Sequence, residues 1–354
     1  MTPVELSRTV LRAVRRAVDD GVLCVAVPER VVVTAPGPGG CGDYATNVAL
    51  QLARPAGRPS VDVAEILQER LLSADGIRDV VVTGPGFLNI SLGDTASTAL
   101  VEEILRRGTR YGYANGPSAD FIPLSCPHEV RAVVVMDALG RILRSQGAAV
   151  RTRCEAPLDP RWVDILGVGV GVGVGVDADG AQDSVSLPEF VVRPVPAPVG
   201  TAPLQLGRDA ARWALLHPAG HDRPRITDEH LVQRESNPLF RVRYAHARTR
   251  ALSRNAADLG FDAEPGDARH DVAALLADHP RVLAQAAAHR APDRLARHLV
   301  TVADAVLPLL PAVLPRGAEK PSATHRARLA LAEAAGTVLA GGLSLLGIDA
   351  PDHL

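Results

Sequence analysis

Residues 236–260 read SNPLFRVRYAHARTRALSRNAADLG. Ser236 or Asn237 can cap a helix, and Pro238 then takes the first helical position, where a missing N–H costs nothing. Val242, Ala245, Thr249, Leu252, Ala256 and Leu259 recur in alternating steps of three and four. At about 100° per residue they form one packed seam. Arg243, Arg250 and Arg254 fall on the opposite side, within about 40° of one another on the same projection. Gly260 closes the helix. The pattern predicts a long helix with one buried side, one arginine side and no acid before Asp258. Such a face is either a solvated surface of a bundle or a row of phosphate contacts.

The words inside this helix resemble those of a family. Asn237-Pro-Leu-Phe-Arg-Val-Arg-Tyr-Ala-His-Ala-Arg248 is similar to the N-P-x-Y-Y-V-x-Y-A-H-A-R opening of the anticodon-binding helical domain of arginyl-tRNA synthetases. Tyr244, Ala245, His246, Ala247 and Arg248 match; Phe240 and Arg241 stand where the family has aromatics. The resemblance implies RNA contact by Arg241, Arg243, Tyr244, His246, Arg248, Arg250 and Arg254.

Composition bounds the rest of the chain. Its 354 residues suffice for two or three domains. The formal net charge of −2 excludes a global basic excess, so any nucleic-acid site must be a local patch. Lys320 is the only lysine; every other strong cation is arginine. Cys24, Cys41, Cys126 and Cys154 show neither C-x-x-C pairing nor zinc spacing, which points to reduced thiols and no metal centre. No leader and no apolar run of membrane-spanning length stand out, so a cytoplasmic protein is expected.

Residues 3–20 predict an amphipathic helix with Val4, Leu11, Val14 and Val18 inward and Arg8, Arg12, Arg15 and Arg16 outward. Val22–Val27 and Val31–Thr34 read as β-rich, and Pro36–Gly42 as a turn cluster. Gly42–Ala49 opens a helix, Val61–Leu72 is another, and Val80–Val82, residues 84–90 and a helix near Ala96–Arg107 close the block, which has two β-rich pieces. Together they make an α+β module. Its phrases G-D-Y-A-T-N-V-A (42–49) and G-P-G-F-L-N-I (84–90) resemble two recurrent phrases of the N-terminal domain that the same synthetases add before their catalytic core. In that family the domain touches the tRNA corner formed by the D-loop. The resemblance implies that Phe87 stacks on an unpaired base and Asn89 bonds its edge. A core role for Phe87 and a turn bond for Asn89 are the plain alternatives.

The family's chemistry would lie in the middle of the chain. Class I synthetases stabilise a reacting phosphate with the imidazoles of a His-x-Gly-His turn and with a lysine-rich loop. Here Ser125-Cys-Pro-His-Glu-Val-Arg-Ala132 precedes Asp137–Leu143, which is similar to the helix after that turn. Alignment without gaps puts Cys126 and Glu129 on the histidine positions and His128 on the glycine. A carboxylate there repels phosphate. With Lys320 far downstream and about 30 residues needed per βαβ unit, the adenylating core is expected to be missing. Cys126 and Glu129 are therefore degenerate positions, not catalytic ones.

Leu166–Val176 alternates Gly and Val. Its glycines all sit on odd numbers, so it fits neither G-x-G-x-x-G nor a Walker loop. Strand and flexible linker both remain open. Pro188–Pro203 reads as an extended connector. Neither Cys126 with His128 nor His217 with His221 forms a recognisable catalytic or ligand set.

Leu206–Leu216 resembles the family's helix after the lysine loop, and Ser344–Leu354 its L-L-G-x-x-x-P tail. The expected architecture is an α+β N-terminal module (1–112), a truncated α/β remnant with linker (113–205) and an all-α helical bundle (206–354). The expected function is tRNA binding by a non-catalytic paralogue with no cofactor. An active arginine–tRNA ligase, which would use ATP, is one alternative; a regulatory module docking on a protein partner such as an intact synthetase is another.

Overall fold

The computed structural model describes the whole chain apart from residues 35, 38, 39, 170–188, 200, 201 and 269, and apart from the side chains of residues 94–96. The chain divides into two compact units. One holds Met1–Glu103, Asp262–Asp278 and Pro315–Leu331; the other holds Ile104–Phe261, His279–Leu314 and Ala332–Leu354. The architecture is mixed α/β: an antiparallel sheet near the N-terminus, a small parallel sheet in the middle and helices towards the C-terminus.

In the first unit, helix α1 (Pro3–Asp19) starts with a capping box. Glu5 N donates to Thr2 Oγ1 (3.3 Å), and Thr2 N donates to Glu5 Oε2 (2.7 Å). Leu6, Val10, Val14 and Ala17 form its buried side. The expectation that Val4 points inward is wrong, since Val4 is exposed, and Leu11 and Val18 only flank the core. The stripe begins at Leu6, and a step of two residues carries Val4 far round the helix. Helices α2 (Val48–Ala56) and α3 (Ser60–Leu72) pack on the sheet formed by β1 (Tyr44–Thr46), β3 (Phe87–Leu92) and β2 (Ile77–Thr83), with β3 central. Helix α4 spans Asp94–Arg107.

Two further expectations fail here. Val22–Val27 and Val31–Thr34 form no strand; only a bridge from Thr34 to Ala45 survives, while Leu23 and Val31 plug the core from irregular backbone. The 42–49 phrase enters as strand β1 rather than as helix. Thr46 Oγ1 donates to Val32 O (2.8 Å), Ala45 pairs with Thr34, and the helix starts only at Val48.

In the second unit, β4 (Phe121–Cys126), α5 (Val130–Ser145) and β5 (Ala149–Cys154) form a parallel β-α-β unit, followed by α6 (Pro160–Leu166). The connector read over Pro188–Pro203 supplies a third strand, β6 (Phe190–Val191), on the other side of β4. The choice between strand and linker for most of the Gly/Val tract falls outside the described residues. Helix α7 (Gly207–Leu216) packs on α5 and α6, and α8 (Pro238–Asp258) packs on α10 (Pro292–Val306). Helices α9 (Val272–Ala288) and α11 (Ala323–Leu346) complete the chain.

The expectation about apolar runs also needs correction. Pro292–Ala312 and α11 are long and apolar enough to cross a membrane by length and composition. However, 78% of the most apolar stretch of α11 is buried inside the protein, as in a core helix.

Candidate nucleic-acid interface

Helix α8 forms as its sequence prescribes. Asn237 Oδ1 accepts from Leu239 N (3.0 Å) and Phe240 N (3.4 Å), while its Nδ2 donates to His230 O and Val232 O (both 2.9 Å). One amide thus caps the helix and ties down the loop before it, a double role that serine or aspartate could not fill. Val242, Ala245, Thr249, Leu252 and Ala256 are buried as predicted, but Leu259 is 53% exposed. Close approach to α11 is set by Gly336, where a Cβ would lie 2.2 Å from Thr249 Oγ1.

His246 belongs to this seam. Its Nδ1 donates to Gly336 O (3.1 Å), and its Nε2 lies 3.6 Å from Asp352 Oδ1. Burial pushes the imidazole below its ordinary pKa, against the opposing pull of Gly336 O and Asp352. His246 therefore sits in a cleft of about 410 Å³ with Thr249, Arg250, Gly336 and Asp352 rather than on an open RNA-facing surface.

The arginine side of α8 differs from expectation. Arg241 Nε lies 3.3 Å from Asp304 Oδ1, Arg243 Nη1 3.5 Å from Asp209 Oδ2 and Arg250 Nε 3.2 Å from Asp352 Oδ1. Arg254 Nη2 donates to Asp352 O (3.3 Å) and lies 3.3 Å from His353 Nδ1. Arg248 alone among these is exposed with no partner among the described residues. The side read as an unopposed cationic row is thus interleaved with carboxylates from distant parts of the chain. Arg241 and Arg243 are half-buried in their pairs, whereas the contacts of Arg250 and Arg254 are exposed, contribute about 0–1 kcal/mol each and can be displaced by an incoming phosphate. Tyr244 is exposed and stacked on Phe240 with centroids 5.5 Å apart, which leaves an aromatic face available for stacking.

In the N-terminal sheet, Phe87 and Asn89 part company. Phe87 is 41% exposed at the start of β3. Asn89 is 2% exposed, and its amide is used internally: Nδ2 donates to Thr83 Oγ1 (2.6 Å) and Val81 O (3.3 Å), and Oδ1 accepts from Cys41 N (3.3 Å). The implied bond from Asn89 to a base edge is not supported by this geometry, because burial leaves the amide no outward-facing group.

The carboxyl end of β4 lies between its parallel neighbours β5 and β6, where the strand order reverses. That is where open α/β sheets receive ligands, often as anions at a helix N-terminus. Here Glu129 occupies the place. It is the N-cap of α5; its Oε2 accepts from Ala132 N (2.8 Å) and its Oε1 from Ala197 N (3.4 Å). Cys126 is fully buried, and burial together with Cys154 pushes its thiol far above the ordinary range. His128 packs against Trp162 with ring centroids 4.8 Å apart and the planes tilted by 32°.

The residue holding this region in shape escaped the sequence reading. Arg131, with no exposed surface, donates all five guanidinium hydrogens to carbonyls of Leu215, Val195, Asp222, Pro218 and Ala219 at 2.6–3.0 Å. Nothing in its local sequence distinguishes it from a surface arginine.

Two family descriptions match this chain: the arginyl tRNA synthetase N terminal domain over residues 5–92 and the DALR anticodon binding domain over residues 242–354. The chain is a member of the arginyl-tRNA synthetase family. The arginine–tRNA ligase of Frankia alni is 41% identical over 160 residues, which is 42% of this chain and 29% of that ligase. The ligase of Renibacterium salmoninarum is 27% identical across the whole of both chains. That alignment takes 552 positions against 354 residues here, so this synthetase-like chain carries a long gap. Its fold is similar to Thermus thermophilus arginyl-tRNA synthetase (TM-score 0.65, 15% identity, all of both chains) and to the Plasmodium falciparum enzyme (TM-score 0.74, 8% identity, 99% of each).

Proposed function

We propose that this synthetase-family chain binds tRNA and does not aminoacylate it. The observation that carries the non-catalytic reading is Glu129: a carboxylate of the chain itself caps the helix N-terminus at the β4 switch point, where an anionic ligand would otherwise sit. Negative charge fixed there opposes ATP phosphates. With Lys320 as the only lysine, a lysine-rich loop has no residues to be built from. The binding reading rests on the anticodon binding domain match, on the Tyr244–Phe240 stack, on the exposed and weakly held Arg250 and Arg254 and on the exposed Arg248 of α8. It includes a cytoplasmic location and needs no cofactor.

The competing reading, an active ligase, is favoured by the names of the relatives, which are arginine–tRNA ligases. The two separate cleanly. Purified protein mixed with tRNA, arginine and ATP should yield no arginyl-tRNA and no arginine-dependent pyrophosphate exchange. It should nonetheless bind tRNA with log K falling linearly against log salt. Charging of tRNA would overturn the non-catalytic reading, and absence of salt-sensitive binding would overturn the RNA reading in favour of a protein partner.

A further inference from the structure

The first unit carries a second cationic surface that the anticodon-domain match does not reach. Arg8, Arg12 and Arg16 stand on the exposed side of α1 and, with Arg70, line a cleft of about 880 Å³. The charge balance differs from that of α8. Arg8 and Arg16 have no partner among the described residues, and Arg12 reaches only Thr9 Oγ1 (3.0 Å). Arg70 pairs with Asp20 (3.0 Å). Two acids line the cleft among the described residues: Glu5, which is engaged by Thr2 N in the capping box, and Asp75.

We propose that this cleft binds the phosphodiester backbone of an RNA strand, with Arg8, Arg12 and Arg16 each taking one phosphate. A spacing of four residues advances about 6 Å along a helix and turns about 40° per step, so the three guanidinium groups form a gently winding row. That advance is close to the step between successive phosphates along a nucleic-acid strand. Arginine is suited to the task, because its planar fork presents two parallel donors to two phosphate oxygens. The concave wall concentrates the field of charges that would be screened singly on a convex surface. With the three guanidinium groups committed to phosphates, contact is independent of sequence and serves to position the RNA.

This proposal rests on the RNA-binding reading above, and its test keeps the two apart. Full-length protein carrying Arg8→Ala, Arg12→Ala and Arg16→Ala together is compared with wild type by fluorescence anisotropy on labelled unfractionated tRNA over a salt series. The control carries Arg15→Ala, Arg30→Ala and Arg58→Ala, three exposed arginines of the same unit away from the cleft. All six positions are exposed, and circular dichroism melting verifies that both variants fold. The cleft variant should bind about tenfold or more weakly at low salt, and its slope of log K against log salt should fall by about 2–3. The control should stay within about twofold of wild type. Equal losses in both variants would reduce the effect to net charge and overturn the proposal. An unchanged cleft variant beside a wild type that binds would overturn it while leaving the RNA reading intact. No binding by wild type would overturn both, and loss of an acidic protein partner from the cleft variant without loss of RNA would reassign the cleft.

Discussion

Asp352 places one carboxylate oxygen 3.2 Å from Arg250 Nε and 3.6 Å from His246 Nε2, so the end of the chain lies against the arginine side of α8. Its backbone oxygen also accepts from Arg254. The acid therefore competes for the cations that the proposed function assigns to phosphate.

Replacing Asp352 with asparagine should free Arg250 and leave the fold in place. An exposed pair contributes little to stability, so a change below about 1 kcal/mol is expected in urea denaturation. Binding of tRNA should tighten by about two- to fivefold at low salt, on the order of 0.4–1 kcal/mol, and the gain should vanish as salt rises. Weaker binding after Asp352→Asn would mean that this acid helps to present the arginines rather than masking them.

Arg212 predicts the opposite kind of behaviour. It is fully buried, with Nη2 2.5 Å from Asp137 Oδ2, Nε donating to Leu346 O (2.8 Å) and Nη1 donating to Leu166 O (3.0 Å). Gly347 permits this, since a Cβ there would lie 2.4 Å from the guanidinium carbon and its φ of +72° already suits glycine. Arg212→Met leaves Asp137 buried with a long bond from Gly169 N and the half-exposed Arg141 as its remaining cation, and should cost about 3–5 kcal/mol by chemical denaturation. Adding Asp137→Leu should recover a substantial part of that loss. A double variant no more stable than the single one would contradict the attribution to an unpaired charge.

These residues mark the limits of what the sequence could reveal. Helix α8 was legible because its cap, seam and terminating glycine are local, and periodicity reads one helix well. The charge state of its arginine side was not, since Asp209, Asp304 and Asp352 come from other parts of the chain. The error over residues 22–34 has a related cause. β-branched composition rewards a strand, yet Leu23 and Val31 earn their burial as plugs while the sheet takes its edge from Tyr44–Thr46. Asn89 was placed correctly in a recurrent phrase, but only packing reveals that its amide faces inward. Arg131 and Arg212 look like surface arginines until the carbonyls around them are seen.

Glu129 allows a test of the capped switch point. Glu129→Ala removes the acceptor for Ala132 N and should destabilise the protein by about 0.5–2 kcal/mol, as expected for a lost N-cap. Glu129→Gln keeps a shorter-ranged acceptor and should lose less. Neither change should produce arginine-dependent pyrophosphate exchange, because clearing the repelling charge does not supply the missing donors. Exchange activity in either variant would show that Glu129 is the only obstacle to adenylation.

Acid sensitivity follows from the buried imidazoles. Burial holds His279 well below its ordinary pKa and lowers His217 and His246 as well. In the unfolded chain each titrates near 6.5. Below that pH the unfolded state binds protons that the folded state does not, so stability is complete above about pH 6.5 and declines as pH falls towards the depressed folded values. Each such histidine contributes a slope of up to about 1.4 kcal/mol per pH unit in that window. His279 stacks on Tyr111 at 6.0 Å and on His298 at 5.3 Å, a setting that a phenyl ring can share. Urea denaturation at pH 7.5, 6.0 and 5.0 should therefore show wild type losing stability below about pH 6.5 and His279→Phe losing it less steeply. Parallel pH profiles for the two proteins would remove His279 as a source of the acid sensitivity.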